Sequence, residues 1–137
     1  MRVLLVEPDP SVRAKLGGEL LQAGYAVTAE GACAAAWDAF TAAPFPLVAI
    51  RANGPDERAL ALCHRIRQHP TGGDASVILL TGAGDAATLG AVLQAGADDF
   101  VTEPMEDAIL LAVMELAVRR RRRERAQREG AGHRIQR

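Results

Sequence analysis

Leu47–Ile50 is an apolar run with no polar residue in it, and the chain repeats the pattern. Val3–Val6, Tyr25–Thr28 and Val77–Leu80 are similar short runs, and Phe100–Val101 centres a fifth, shorter one. A strand wet on one face alternates apolar and polar residues. Unbroken runs predict strands buried on both faces, as in a parallel sheet. Helical segments lie between them. Ser11 caps the first, which runs to about Ala23 with Val12, Leu16, Leu20 and Leu21 on one face, and Gly24 stops it. The second is Ala32–Ala42, with Trp37 and Phe40 at i, i+3, ended by Pro44. The third is Glu57–Gln68, with Leu60, Cys63 and Ile66 inward, closed by His69-Pro70. The fourth is Ala86–Ala95, stopped by Gly96, and the fifth runs from Glu106 to at least Val118. Strand and helix alternate five times. The expected fold is α/β, a (βα)5 doubly wound five-stranded parallel sheet.

The chain has 137 residues, a length suited to one domain. Aromatics are 4% of residues, so the core is expected to be aliphatic. The net charge of -1 hides a polarity: from Arg119 onward nine arginines face two acids, +7, and before it seven Lys+Arg face 15 acids, -8. Cys33 and Cys63 have no metal-ligand or CxxC spacing and read as small buried thiols, which fits a reducing compartment. His64, His69 and His133 have no partner pattern and are expected to face solvent. The N-terminal MRVLLVEPD lacks a signal-peptide core, and no stretch is long enough to span a bilayer. A cytoplasmic location and no membrane partner are therefore expected.

In open α/β sheets, ligands bind beyond the carboxyl ends of the strands. Those ends hold Glu7-Pro8-Asp9, Arg51, Thr81-Gly82 and Glu103-Pro104. RVLLVEPDPSVR, Gly24-Tyr25, Pro55 to Arg67 ending in LCHRIR, VILLTG and above all LQAGADDFVTEP carry a resemblance. They resemble the receiver domain of bacterial two-component response regulators, with its CheY-like, flavodoxin-type fold. The resemblance spans residues 2 to about 122. It implies a receiver domain at 1–122, followed by 123–137 as an Arg-rich helical extension, linker or flexible tail. The apolar seam ends at Val118, so no coiled coil is expected, and fraying is expected at Gly130-Ala131-Gly132.

The resemblance also implies site roles. In the family the third strand ends on an aspartate that accepts a phosphoryl group from a histidine kinase. Two acids after the first strand hold magnesium. A Thr or Ser after the fourth strand and a Lys near the last proline contact the phosphoryl oxygens. This chain departs from that pattern. The phosphoacceptor position is Arg51, the acidic pair is Glu7-Pro8 with Asp9 adjacent, and the lysine position is Glu103. Thr81 is retained, and the aromatic switch position is Phe100.

An acyl phosphate needs a carboxylate nucleophile, and a guanidinium stays protonated at any working pH. Arg51 also brings positive charge to the metal's place, and Pro8 removes an oxygen ligand. Mg²⁺ binding is expected to be weak or absent, with no other cofactor. Arg51 is expected to act as an internal counter-ion to Glu7, Asp9 and Glu103. The expected function is a phosphorylation-independent, receiver-like signalling module in a phosphorelay, acting by protein–protein contact and not as an enzyme. The resemblance implies contact through the fourth helix, fifth strand and fifth helix, with a histidine kinase, an output domain, or a second copy docked on the fourth and fifth helices. One alternative is phosphate acceptance at Asp9 or Asp56. Another is nucleic-acid binding through the Arg-rich tail, which lacks the interleaved aromatics of many such sites and ranks below the others.

Overall fold

A computed structural model describes residues 1–52, 57–82, 90–91, 93–102 and 106–135, with side chains to residue 130. The strands are β1 (Arg2–Val6), β2 (Ala26–Glu30), β3 (Leu47–Ala52), β4 (Ser76–Thr81) and β5 (Asp99–Thr102). The helices are α1 (Pro10–Gln22), α2 (Cys33–Ala42), α3 (Glu57–Gln68) and α4 (Asp107–Ile135), with a 3-10 turn at Gly72–Asp74. Residues 90–91 and 93–94 are helical and belong to the predicted fourth helix; 86–89 and 92 lie outside the described residues. The helix α4 is therefore the fifth in the sequence reading.

All pairings are parallel and the strand order is β2-β1-β3-β4-β5. Successive side chains on a strand point to opposite faces. Here each face has its own core. Leu4, Val6, Val48, Ile50, Val77 and Leu79 pack with Phe40 of α2 and Leu62, Cys63 and Ile66 of α3. Val3, Leu5, Leu47, Ala49, Ile78 and Leu80 pack with Leu16 and Leu20 of α1 and Leu110, Met114 and Val118 of α4. Two cores divided by residue parity explain why these strands carry no polar alternation. Among the described residues no helix is long and apolar enough to cross a membrane.

Several local expectations are corrected. Asp9, not Ser11, caps α1: its Oδ1 accepts from the Ser11 and Val12 amides, and Pro10 takes the first helical position, where its missing N–H is harmless. Leu21 is 64% exposed, because it lies about 100° round the helix from Leu20. On α3, Ala59 and Leu62 are buried while Leu60 is only partly so. Cys33 is half-buried; Cys63 is buried, and burial pushes its thiol up to about 11, which keeps it protonated and unreactive. His69 is half-buried, with its ring edge-on to Trp37 and Phe40 at 5.8 and 5.5 Å. His64 is exposed, and the side chain of His133 lies outside the described residues.

The amino-terminal edge of the sheet is fastened by charge. Asp98, just before β5, accepts from Arg67 of α3, from the Val77 amide at 2.7 Å and from Arg121 Nε of α4 at 2.7 Å. Arg67 also donates to the Gly72 and Gly96 carbonyls at 3.0 and 2.6 Å. Arg121 reaches the Gly73 carbonyl at 3.1 Å, and Arg128 pairs with Asp74 at 2.7 Å. The basic segment is thus a docked arm. It continues helically through Gly130 and Gly132 to Ile135 instead of fraying there. Glycine costs a helix interior only about 1 kcal/mol, and here the arm already has an anchor at Arg128.

Candidate functional site

The β1–β3 register ends with Val6 opposite Ile50, so the next residues, Glu7 and Arg51, emerge side by side at the carboxyl end. This is also where the strand order reverses, since β2 lies on one side of β1 and β3 to β5 on the other. Arg51 does not end its strand. Arg51 and Ala52 extend β3 and register with Leu80 and Thr81. The Arg51 Nε donates to Glu7 Oε2 at 2.6 Å, and both side chains are 4% exposed. A charge-assisted bond of this length is among the stronger pairings a protein makes. Arg13 Nη1 donates to the Glu7 carbonyl at 2.9 Å, holding the turn that carries the carboxylate.

The remaining expected residues divide. Pro8 is exposed. Asp9 is exposed and makes no ion pair with Arg51, because its carboxylate caps α1. Asp9→Ala is expected to lower stability by about 1 kcal/mol, the usual loss for an N-cap, as read by a urea melt. Thr81 is 1% exposed at the end of β4, and its Oγ1 has no hydrogen-bond partner among the described residues. Phe100, on β5 opposite Leu79, is half-buried against the α2/α3 core. Glu103, Pro104, Pro55 and Asp56 lie outside the described residues. Two contacts escaped the sequence reading, one at this site and one at the opposite, amino-terminal edge of the sheet. Arg13 had no signal beyond being a basic residue on a helix. Asp98 stood inside the quoted ADDF stretch, but its partners are 21 to 31 residues away.

Residues 3–115 match the response regulator receiver domain. The chain belongs to this family. Relatives of this receiver include the TorCAD operon transcriptional regulatory protein TorR of Escherichia coli O157:H7, 34% identical over 104 residues, which are 76% of this chain and 44% of that protein. Another is transcriptional regulatory protein CseB of Streptomyces avermitilis, 34% identical over 118 residues, 86% of this chain and 49% of that protein. The receiver thus spans 44–49% of the length of these relatives. Among solved structures it resembles the signal receiver domain of a histidine kinase from Syntrophus aciditrophicus, with TM-score 0.77 and 26% identity over 85% of this chain and 89% of that one. A CheY-like receiver domain from Methanospirillum hungatei shares the fold, with TM-score 0.81 and 20% identity over 90% and 97% of the two chains.

The family implies magnesium at the carboxyl end, so the donors of this receiver matter. Mg²⁺ demands near-octahedral oxygen ligands. The Glu7 carboxylate is taken by a guanidinium, the Asp9 carboxylate is turned to helix amides, and Pro8 has no side-chain donor. The described residues do not fit the ion.

Proposed function

We propose that this receiver signals without accepting a phosphoryl group and works by protein–protein contact in two-component signal transduction. One observation carries the reading: the buried Arg51–Glu7 pair at 2.6 Å, standing where the family resemblance locates acceptor and metal ligand. Arg51 supplies no nucleophilic carboxylate, and its charge stands in for the cation that Glu7 would otherwise need. Glu103, at the lysine position, reverses the family's charge there too, as read from the sequence. Pro8, Asp9, Thr81 and Phe100 then serve as structural remnants of a phosphorylation site.

The proposed contact surface joins β5, the described part of the preceding helix and α4. It presents Leu93, Ile109 and Leu116, 61%, 50% and 58% exposed. Large apolar groups left in water favour docking. The partner we infer is a histidine kinase, an output domain or a second copy. Phosphate acceptance at Asp9 is disfavoured by its capping role.

A thermal melt with and without Mg²⁺ plus beryllium fluoride, an acyl-phosphate mimic, tests the proposal. A ligand at 100 times its Kd stabilises by about 2.7 kcal/mol, on the order of 10 °C for a domain of this size. The expected shift is under ~1 °C. A shift requiring both Mg²⁺ and fluoride overturns the proposal.

A further inference from the structure

We propose that the arginine-bearing part of α4, from Arg119 to Arg128, is a docking surface for the phosphate backbone of duplex DNA. Between Arg119 and Glu129 there are seven arginines against two glutamates. Arg119, Arg122 and Arg123 stand at i, i+3, i+4, on the side of the helix away from the contacts made by Arg121 and Arg128. Arg122 and Arg123 are exposed and have no carboxylate partner among the described residues. Arg119 and Arg125 are 58% and 65% exposed, and among the described residues their ion pairs are with Glu115 and Glu129 on the same helix. Such surface pairs are weak, so these guanidinium groups stay available to a stronger anion.

The row is also held in place before any ligand arrives. Arg121 is locked to Asp98 and Gly73, and Arg128 to Asp74. Beside it lies a cleft of about 250 Å³ lined by Arg121, Arg122, Arg125, Asp74 and Ser76, with room for a phosphate group. Less ordering entropy is lost when a basic segment is already helical and docked.

Charge selects the occupant. The residues before Arg119 carry -8, seven Lys+Arg against 15 acids, so a polyanion is favoured at the arm over the body as a whole. A lipid surface needs an apolar helix face, and from Arg119 to Glu129 the only apolar residue is Ala126. An acidic protein patch must match the spacing of this row. A duplex offers one phosphate about every 3.4 Å along each strand, so every guanidinium finds one.

The test is fluorescence anisotropy of a labelled duplex of mixed sequence, titrated with the full chain at 50 and 200 mM NaCl. Four phosphate contacts predict a roughly 100-fold loss of affinity between these salts. The double variant Arg122→Ala/Arg123→Ala keeps two contacts. It is expected to bind at least tenfold more weakly at 50 mM and to lose only about tenfold on going to 200 mM. Both residues are exposed, and an unchanged circular dichroism melt verifies the fold. Lys15→Ala, an exposed charge on α1, is expected to leave the salt dependence as it was. Absence of duplex binding at 50 mM overturns the proposal. So does an unchanged salt dependence in the double variant, or an equal change in Lys15→Ala. Binding to anionic phosphatidylglycerol vesicles without binding to duplex also overturns it.

Discussion

Arg51→Met is expected to lower the stability of the receiver by about 3–5 kcal/mol, the usual effect of removing one partner from a buried ion pair. Glu7 is the reason. Its side chain is 4% exposed, and the Arg51 Nε is its charge partner at 2.6 Å. With the guanidinium gone, the carboxylate must stay ionised in a poorly hydrated place or take up a proton. Either route is unfavourable to the fold. The double variant Glu7→Leu/Arg51→Met removes both charges and keeps the volume apolar. It is expected to recover most of the loss, because well-packed apolar replacements of a buried pair are often neutral or better. Urea melts of the four proteins measure the coupling, with midpoint shifts at constant slope reporting stability alone. A loss below about 1 kcal/mol in the single variant would contradict the role of Arg51 as an internal counter-ion.

Asp98→Ala is expected to cost about 3 kcal/mol or more, through a different mechanism. The Asp98 side chain is 7% exposed and gathers two guanidinium groups and one strand amide. Removing it strips the acceptor from the Val77 amide at the start of β4 and leaves Arg67, 15% exposed, without its carboxylate. The arm should loosen as well. Amide hydrogen exchange from Arg119 to Gly130 is expected to quicken more than exchange in α1, which supplies none of the polar partners of Asp98 among the described residues. Uniform quickening in both helices would mean the hub steadies the whole domain and not the arm in particular.

The fold was legible because its main determinant is local. Val3–Val6, Leu47–Ile50 and Val77–Leu80 announce burial on both faces, and the structure supplies a separate core for each face. The strand ends were harder. Arg51 looked like a stop because charged residues rarely lie within buried strands, yet β3 continues through it. What permits this is Glu7, 44 residues earlier, and no local pattern encodes a contact across that distance. The choice of cap failed for a smaller reason. Asp9 and Ser11 are both good caps, and Pro10 decides between them, since a proline fits the first turn better than the residue before a cap. At the site, the departure at Arg51 was legible only as what the family resemblance implies. That Asp9 would turn away from it was not legible, because the cap and the pocket compete for the same carboxylate.

The arm has a consequence in angle as well as in charge. Twenty-nine residues of continuous helix span about 43 Å, and the contacts of Arg121 and Arg128 hold the far half against rotation about its own axis. Each residue of such a helix advances the chain by about 100°. Anything joined rigidly beyond it would point in a direction set by a residue count. One inserted residue would swing it a quarter-turn, while seven would return it nearly to its starting azimuth about 10 Å further out.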